Sequence, residues 1–281
     1  MILIADCGST KIDWCLVEKE EIIERFTTPG MNAVMLSPEE MKKGIAAGIG
    51  ESMKTAPERI EAVYFYGAGC ISPEVCSNVA DAIRATIPAS KIEVATDLLA
   101  AARALCGHKP GIACILGTGS NSCYYDGEKI VDNVSPLGYI LGDEGSGAVL
   151  GKLLVGDVLK NQIPAPLGEL FLEEYNLDRL EIIRRVYREP GGNRFLASLS
   201  PFLLANIEVP QVHDLVVNAF KAFFVRNIHN YKGYETMDVN FVGSIAHYYR
   251  EQLAEAASLT ACRIGTILRS PMEGLIKFHA V

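Results

Sequence analysis

Twice in this chain a short apolar run ends in a glycine turn and resumes at once as a second apolar run. The first instance is ILIADCGSTKIDWCLVEKEEII, residues 2–23, and the second is GIACILGTGSNSCYYDGEKIV, residues 111–131. Runs this short, bounded by Gly, Asp or Pro, read as buried strands rather than helices. A tight turn between two such strands makes them antiparallel neighbours. The opening segment MILIADCGSTKIDWCLVEKEEIIERFTT therefore predicts three successive antiparallel strands, and Asp126-Gly127 predicts a further hairpin in the second series. Two similar openings, half a chain apart, point to internal duplication.

AVYFYG and KIEVA add strands to the first half, with helices between them. SPEEMKKGIAAGIGESMKTA starts with Ser37 as N-cap, Pro38 at the first helical position and Glu40 three residues after the cap, a capping box. SPEVCSNVADAIRATIP repeats the Ser-Pro start at residues 72 and 73, and DLLAAARAL opens on Asp97. From about residue 146 apolar residues recur at helical spacing, as in GSGAVLGKLLVGDVLKN and QVHDLVVNAFKAFFVRNIHNYKG. A last strand–turn–helix follows in DVNFVGSIAHYYREQLAEAAS.

The chain has 281 residues, 49 % of them hydrophobic, enough for one large or two ordinary domains with real cores. A net charge of −8 argues against nucleic acid or an anionic membrane as the main partner. Asp6 interrupts the apolar start before it reaches signal-peptide length, and no uncharged apolar window is long enough to span a membrane. The eight cysteines form no C-x-x-C pair and several sit in apolar runs, so they read as reduced, buried thiols of a cytoplasmic protein rather than metal ligands.

The glycine turns carry the chemistry. Gly8, Ser9, Thr10 and Lys11 offer backbone N–H groups, short hydroxyls and a cation; Gly117, Thr118 and Gly119 repeat the pattern. Such turns are either plain hairpins or anion cradles. Neither is a Walker A loop or a dinucleotide fingerprint, because strands follow both. Asp6, at the tip of a buried strand, needs a partner: Lys11, its own turn, or a hydrated magnesium ion. Gly243-Ser244, at a strand–helix junction, offers close backbone approach to a ligand. Asp97 is either an N-cap or a carboxylate kept ionised at a helix N-terminus.

DCGSTK, TD opening a helix, LGTGSN, LGDEGSG and FVGSIA occur here in one order across nearly the whole chain. That order resembles the acetate and sugar kinase/actin-like ATPase superfamily. Within it the chain resembles the N-acetylglucosamine kinase group, which shares the BadF/BadG/BcrA/BcrD family with activator ATPases. The resemblance implies an α/β fold of two ribonuclease-H-like domains with an interdomain cleft: residues 1–108 plus about 271–281, and 109–270 with helical insertions. It implies ATP-dependent phosphorylation of an amino sugar, with ATP and Mg2+ as cofactors and a homodimer as the assembly. By position, Asp97 resembles the catalytic base, and Asp6 resembles a carboxylate that holds Mg2+ through water. Gly8 to Lys11 and Gly117 to Gly119 resemble the phosphate motifs, and Gly243 and Ser244 the adenosine motif. Asn32, Ser120, Asn121, Gly138, Tyr139 and Asp143 resemble the sugar side.

Where the family commonly carries Gly-Trp-Gly before the GDEGS segment, this chain reads Pro136-Leu137-Gly138-Tyr139-Ile140-Leu141-Gly142, and the single tryptophan, Trp14, lies in the second strand. Two other readings stay open on the residues: an ATPase that drives a partner enzyme, and a non-catalytic nucleotide or sugar sensor. The activator branch needs cysteines in glycine-rich contexts, which this chain lacks.

Overall fold

The computed structural model of the chain describes residues 1–8, 11–31 and 33–279. The candidate residues Ser9, Thr10 and Asn32 lie outside the described residues. The elements, in chain order, are β1 (Ile2–Cys7), β2 (Lys11–Glu18), β3 (Glu21–Pro29), α1 (Pro38–Ser52), β4 (Ala62–Gly67), α2 (Pro73–Arg84), β5 (Lys91–Ala95) and α3 (Asp97–Cys106). Then come β6 (Gly111–Leu116), β7 (Ser120–Tyr125), β8 (Ile130–Asp132), α4 (Gly138–Leu141), α5 (Gly147–Leu159), α6 (Ala165–Glu174), α7 (Arg179–Tyr187), α8 (Gly192–Ser198), α9 (Ser200–Ala205) and α10 (Pro210–Arg226). The chain ends with β9 (Asp238–Val242), α11 (Ser244–Tyr248), α12 (Arg250–Leu259), β10 (Arg263–Leu268) and α13 (Met272–His279).

These elements form two compact units. The first comprises Met1–Lys109, Gly127–Lys129 and Pro271–Val281; the second comprises Pro110–Asp126 and Ile130–Ser270. The sheet of the first unit runs β3-β2-β1-β4-β5. Its β1, β2 and β3 pair antiparallel, while β4 and β5 run parallel to β1. The sheet of the second unit, β8-β7-β6-β9-β10, repeats both the order and the strand directions. The repeated glycine turn is thus the β1–β2 hairpin in one unit and the β6–β7 hairpin in the other. Both sheets have the ribonuclease-H-like topology expected from the sequence.

Helix α1 starts as the sequence predicts, with Ser37 and Glu40 exchanging side-chain-to-backbone bonds in a capping box. In the first unit alternate strand residues split between two cores. Leu3, Ala5, Cys7, Trp14 and Phe65 pack under α1 and α2. Ile4, Val17 and Tyr66 pack on the opposite face with Ala100 of α3 and Leu275 and Ile276 of α13. Asp6 follows Ile4 by two residues and so belongs to this second face. The second unit has one larger core, in which Leu116, Leu150, Phe220, Phe223 and Phe241 join the sheet to α5 and α10. All eight cysteines are free thiols, six buried and two half-buried. No helix among the described residues is long and apolar enough to cross a membrane.

Candidate active site

In the first unit, strand register brings two carboxylates together. Asp6 ends the apolar run of β1 and stands in register with Tyr66 of β4, which stands in register with Ala95 of β5. The chain leaves Ala95 through Thr96 into α3, whose first residue is Asp97. Thr96 is the N-cap: its hydroxyl accepts the Leu99 N–H at 3.1 Å. This corrects the reading of Asp97 as a cap. Asp97 stands one residue inside the helix, and its carboxylate accepts the Leu98 N–H at 2.9 Å. Both acids are half-buried. Burial first, then the charges of Asp97 and Asp13, together raise the Asp6 carboxyl to about 6 against the opposing charge of Lys11. Burial raises Asp97 as well, opposed by the N–H groups of Leu98 and of Asp97 itself. Lys11 is committed to Asp13, with Nζ 2.8 Å from the carboxylate. The Gly8 N–H closes the turn on the Lys11 carbonyl at 3.0 Å, so Gly8 offers its lack of a side chain rather than a donor.

In the second unit, four segments meet at the end of β6. The Gly117 N–H closes its turn on the Gly119 carbonyl. The first N–H groups of α5 hold that turn from outside: Gly147 donates to the Gly117 carbonyl at 2.8 Å and Ala148 to the Thr118 carbonyl at 3.1 Å. Gly243 presses against the same place. A Cβ there would lie 2.2 Å from the Leu116 carbonyl oxygen, and its φ of +129° excludes side chains on backbone grounds as well. Ser244 follows as the first residue of α11. The Asp143 carboxylate accepts the Ser120 N–H and lies about where a Gly119 side chain would stand. Asp143 adopts the left-handed conformation, φ +55°, and burial raises its pKa. Gly117, Thr118, Gly119, Ser120, Asp143, Gly243 and Ser244 are therefore brought together. Sequence reasoning missed Gly147, although a glycine one residue after the Ser146 N-cap signalled a close approach.

A solved structure from Porphyromonas gingivalis, provisionally named N-acetylglucosamine kinase, superposes with a TM-score of 0.96 at 48 % identity, over 100 % of this chain and 99 % of that one. The chain belongs to the N-acetylglucosamine kinase-like family. A family namesake from Chromobacterium violaceum shares the fold at TM-score 0.76 and 18 % identity, covering 99 % of this chain and 98 % of that one. So does a ROK family glucokinase from Streptomyces griseus, solved with glucose and AMPPNP, at TM-score 0.59 and 16 % identity over 98 % and 96 % of the two chains. No protein-family model and no curated protein matches the chain.

In this N-acetylglucosamine kinase-like chain Tyr139 packs against the core of the second unit, with its hydroxyl beside Gly192. Gly138 starts α4 with φ +74°, next to Leu137 at φ +60°. The Asn121 side-chain oxygen already accepts from the Ser122 N–H at 2.9 Å and from Asn133 at 3.0 Å, tying β7 to the segment after β8. Glu144 turns away to Arg226 Nε at 2.5 Å and to Asn227.

Magnesium fits the first unit. Asp6, Asp97 and Asp13 crowd hard oxygen donors against a single cation, Lys11, and a divalent ion would offset that repulsion. Among the described residues no group of three or more His, Cys, Asp or Glu is arranged to hold a metal alone.

Proposed function

We propose that the protein is an ATP-dependent kinase of N-acetylglucosamine or a related N-acetylhexosamine. The observation that carries this reading is the pair Asp6 and Asp97. Asp6 ends β1 next to a glycine turn and Asp97 lies in the first turn of the helix that follows β5; β4 stands between the two strands, and the Asp97 charge acts on Asp6 across it. Phosphoryl transfer asks for alignment, charge neutralisation and one base. Asp97 takes the proton of the attacking sugar hydroxyl, and the raised pKa of its half-buried carboxyl brings it nearer to that task. Asp6 holds Mg2+ through water, and the ion, when bound, neutralises charge on the transferring phosphates.

The remaining roles follow the same assignment. The turns Gly8–Lys11 and Gly117–Gly119 take the phosphates by close backbone approach, since the N–H groups of Gly8 and Gly117 already close their own turns, with Ser9 and Thr10 adding hydroxyls. Gly243 and Ser244 accept the nucleoside, where the missing side chain at Gly243 lets the backbone come close. Asp143, Ser120, Asn32, Asn121, Gly138 and Tyr139 form the sugar side. The two domains are residues 1–108 with about 271–281 and residues 109–270, and the family resemblance implies a cytoplasmic homodimer.

The test is product analysis. The protein is incubated with MgATP and each member of a panel of hexosamines and N-acetylhexosamines, and the sugars are analysed by mass spectrometry. A phosphorylated N-acetylhexosamine supports the reading. ATP hydrolysis with no phosphorylated sugar from any member overturns it and points to an ATPase that drives a partner.

A further inference from the structure

A polar network lies behind the two carboxylates and takes no part in the proposed chemistry. It is centred on Arg103, one helical side further along α3 from Asp97. Its side chain is only 14 % exposed. One nitrogen, Nη1, donates both to the Tyr66 hydroxyl at 2.7 Å and to Glu93 at 2.5 Å. The Tyr66 hydroxyl also bonds to His279 Nε2 at 2.7 Å, and the His279 ring stacks on Tyr64 with centroids 3.7 Å apart. Phe278 lies under the guanidinium at 5.0 Å. The network therefore joins α3, β4, β5 and α13.

We propose that Tyr66, Arg103 and His279 are positioning residues that hold α3, and with it Asp97, in register beside Asp6. The inference rests on the reading of Asp97 as the base. Three observations carry it. First, the central strand residue of the network, Tyr66, stands in register between the strands that lead to the two carboxylates. Tyr66 is the register partner of Asp6 on one side and of Ala95 on the other, and Ala95 leads through Thr96 into Asp97. Glu93 precedes Ala95 by two residues on the same strand.

Second, the network removes the two motions a helix has left. Sliding α3 along its axis breaks the directional bonds of Arg103. Tilting or rotating it is blocked by α13, because Gly274 packs so close that a Cβ would lie 2.3 Å from the Ala104 carbonyl oxygen. Ala104 is the next residue after Arg103, so both restraints act at one point of the helix.

Third, the arrangement is poorly suited to stability alone. A largely buried guanidinium bears a desolvation penalty that an apolar side chain of similar volume avoids. Arg103 uses a single nitrogen for two bonds, while its Nε is buried without a hydrogen-bond partner among the described residues. Geometry rather than stability explains a charge kept there. A base displaced by about 1 Å costs up to two orders of magnitude in rate.

The test compares Tyr66→Phe, Arg103→Lys and Asp97→Asn by steady-state kinetics with MgATP and the acceptor sugar. Tyr66→Phe removes only the hydroxyl and keeps the ring packing. Its kcat should fall about tenfold while KM for ATP and for sugar stay within about twofold, because binding groups are untouched and only alignment is lost. Arg103→Lys, which keeps the charge but not the fork, should show the same split. It also serves if Tyr66→Phe does not fold. Wild-type kcat in these variants, with Asp97→Asn inactive, overturns the positioning role alone. Wild-type kcat in Asp97→Asn overturns the base reading, and the positioning role with it.

Discussion

Asp97 faces Asp6 across the ends of neighbouring elements, and its charge adds to burial in lifting the Asp6 carboxyl from 3.8 to about 6. The Asp97 charge therefore makes Asp6 harder to ionise, while burial itself raises Asp97. A fold that keeps two such groups together sacrifices stability at neutral pH for a site that attracts a cation.

The first prediction concerns stability against pH in the metal-free protein. The folded pKa of Asp6 lies above its unfolded value, so the folded state binds more protons between about pH 4 and 6. The contribution of Asp6 is therefore present at low pH and is lost as pH rises through about 6. Asp6→Asn should raise stability at pH 7.5 by on the order of 1–3 kcal/mol and change it little at pH 4.5. Urea unfolding at the two pH values measures this. A variant less stable than wild type at pH 7.5 contradicts it.

The second prediction concerns magnesium. Adding Mg2+ and ADP should raise the melting temperature of the wild type more than ADP with a chelator, because an ion bound at the carboxylates stabilises only the folded chain. In Asp6→Asn the difference between the two conditions should vanish. Differential scanning fluorimetry reads both, and an equal magnesium effect in the variant contradicts the assignment of Asp6.

Asp143 carries the third prediction. Its carboxylate accepts the Ser120 N–H, and its backbone is left-handed, a conformation asparagine also tolerates. Asp143→Asn should therefore keep the turn and lose only the charge. KM for the sugar should rise about tenfold, with KM for ATP within about twofold. Equal effects on both KM values would show that Asp143 shapes the turn rather than the sugar side.

Gly243 carries the fourth. Gly243→Ala places a methyl 2.2 Å from the Leu116 carbonyl oxygen at φ +129°, so β9 must move away from the Gly117 turn. The cost should exceed about 2 kcal/mol in chemical denaturation, with weaker ATP binding by calorimetry in whatever fraction folds. Wild-type stability and ATP affinity contradict the close approach.

The strand meanders were legible because each apolar run in β1–β3 and β6–β8 is short, and all their turns but Lys19-Glu20 are marked by Gly or Asp-Gly. The start of α1 was legible because its capping box is a local four-residue signal. β10 was not: its apolar Ile264, Ile267 and Leu268 are only half-buried and are interrupted by exposed Gly265 and Thr266, so it lacks a run that stands out as a buried strand. The short helices α4, α8 and α9 escaped for want of length, since their few residues show too little of the helical period. Asp97 was found, but Thr96 was overlooked as its cap because both residue types fit that position. The Tyr66–His279 bond joins positions 213 residues apart, beyond the reach of any local pattern.

The most direct test of the account is ADP release measured with and without N-acetylglucosamine, in the wild type and in Asp97→Asn, at saturating MgATP. The account predicts release that depends on the sugar in the wild type. In Asp97→Asn that release should fall by at least about a hundredfold while the variant still binds ATP. Sugar-dependent release at the wild-type rate in Asp97→Asn would contradict the assignment of the base, and release that ignores every N-acetylhexosamine would contradict the kinase itself.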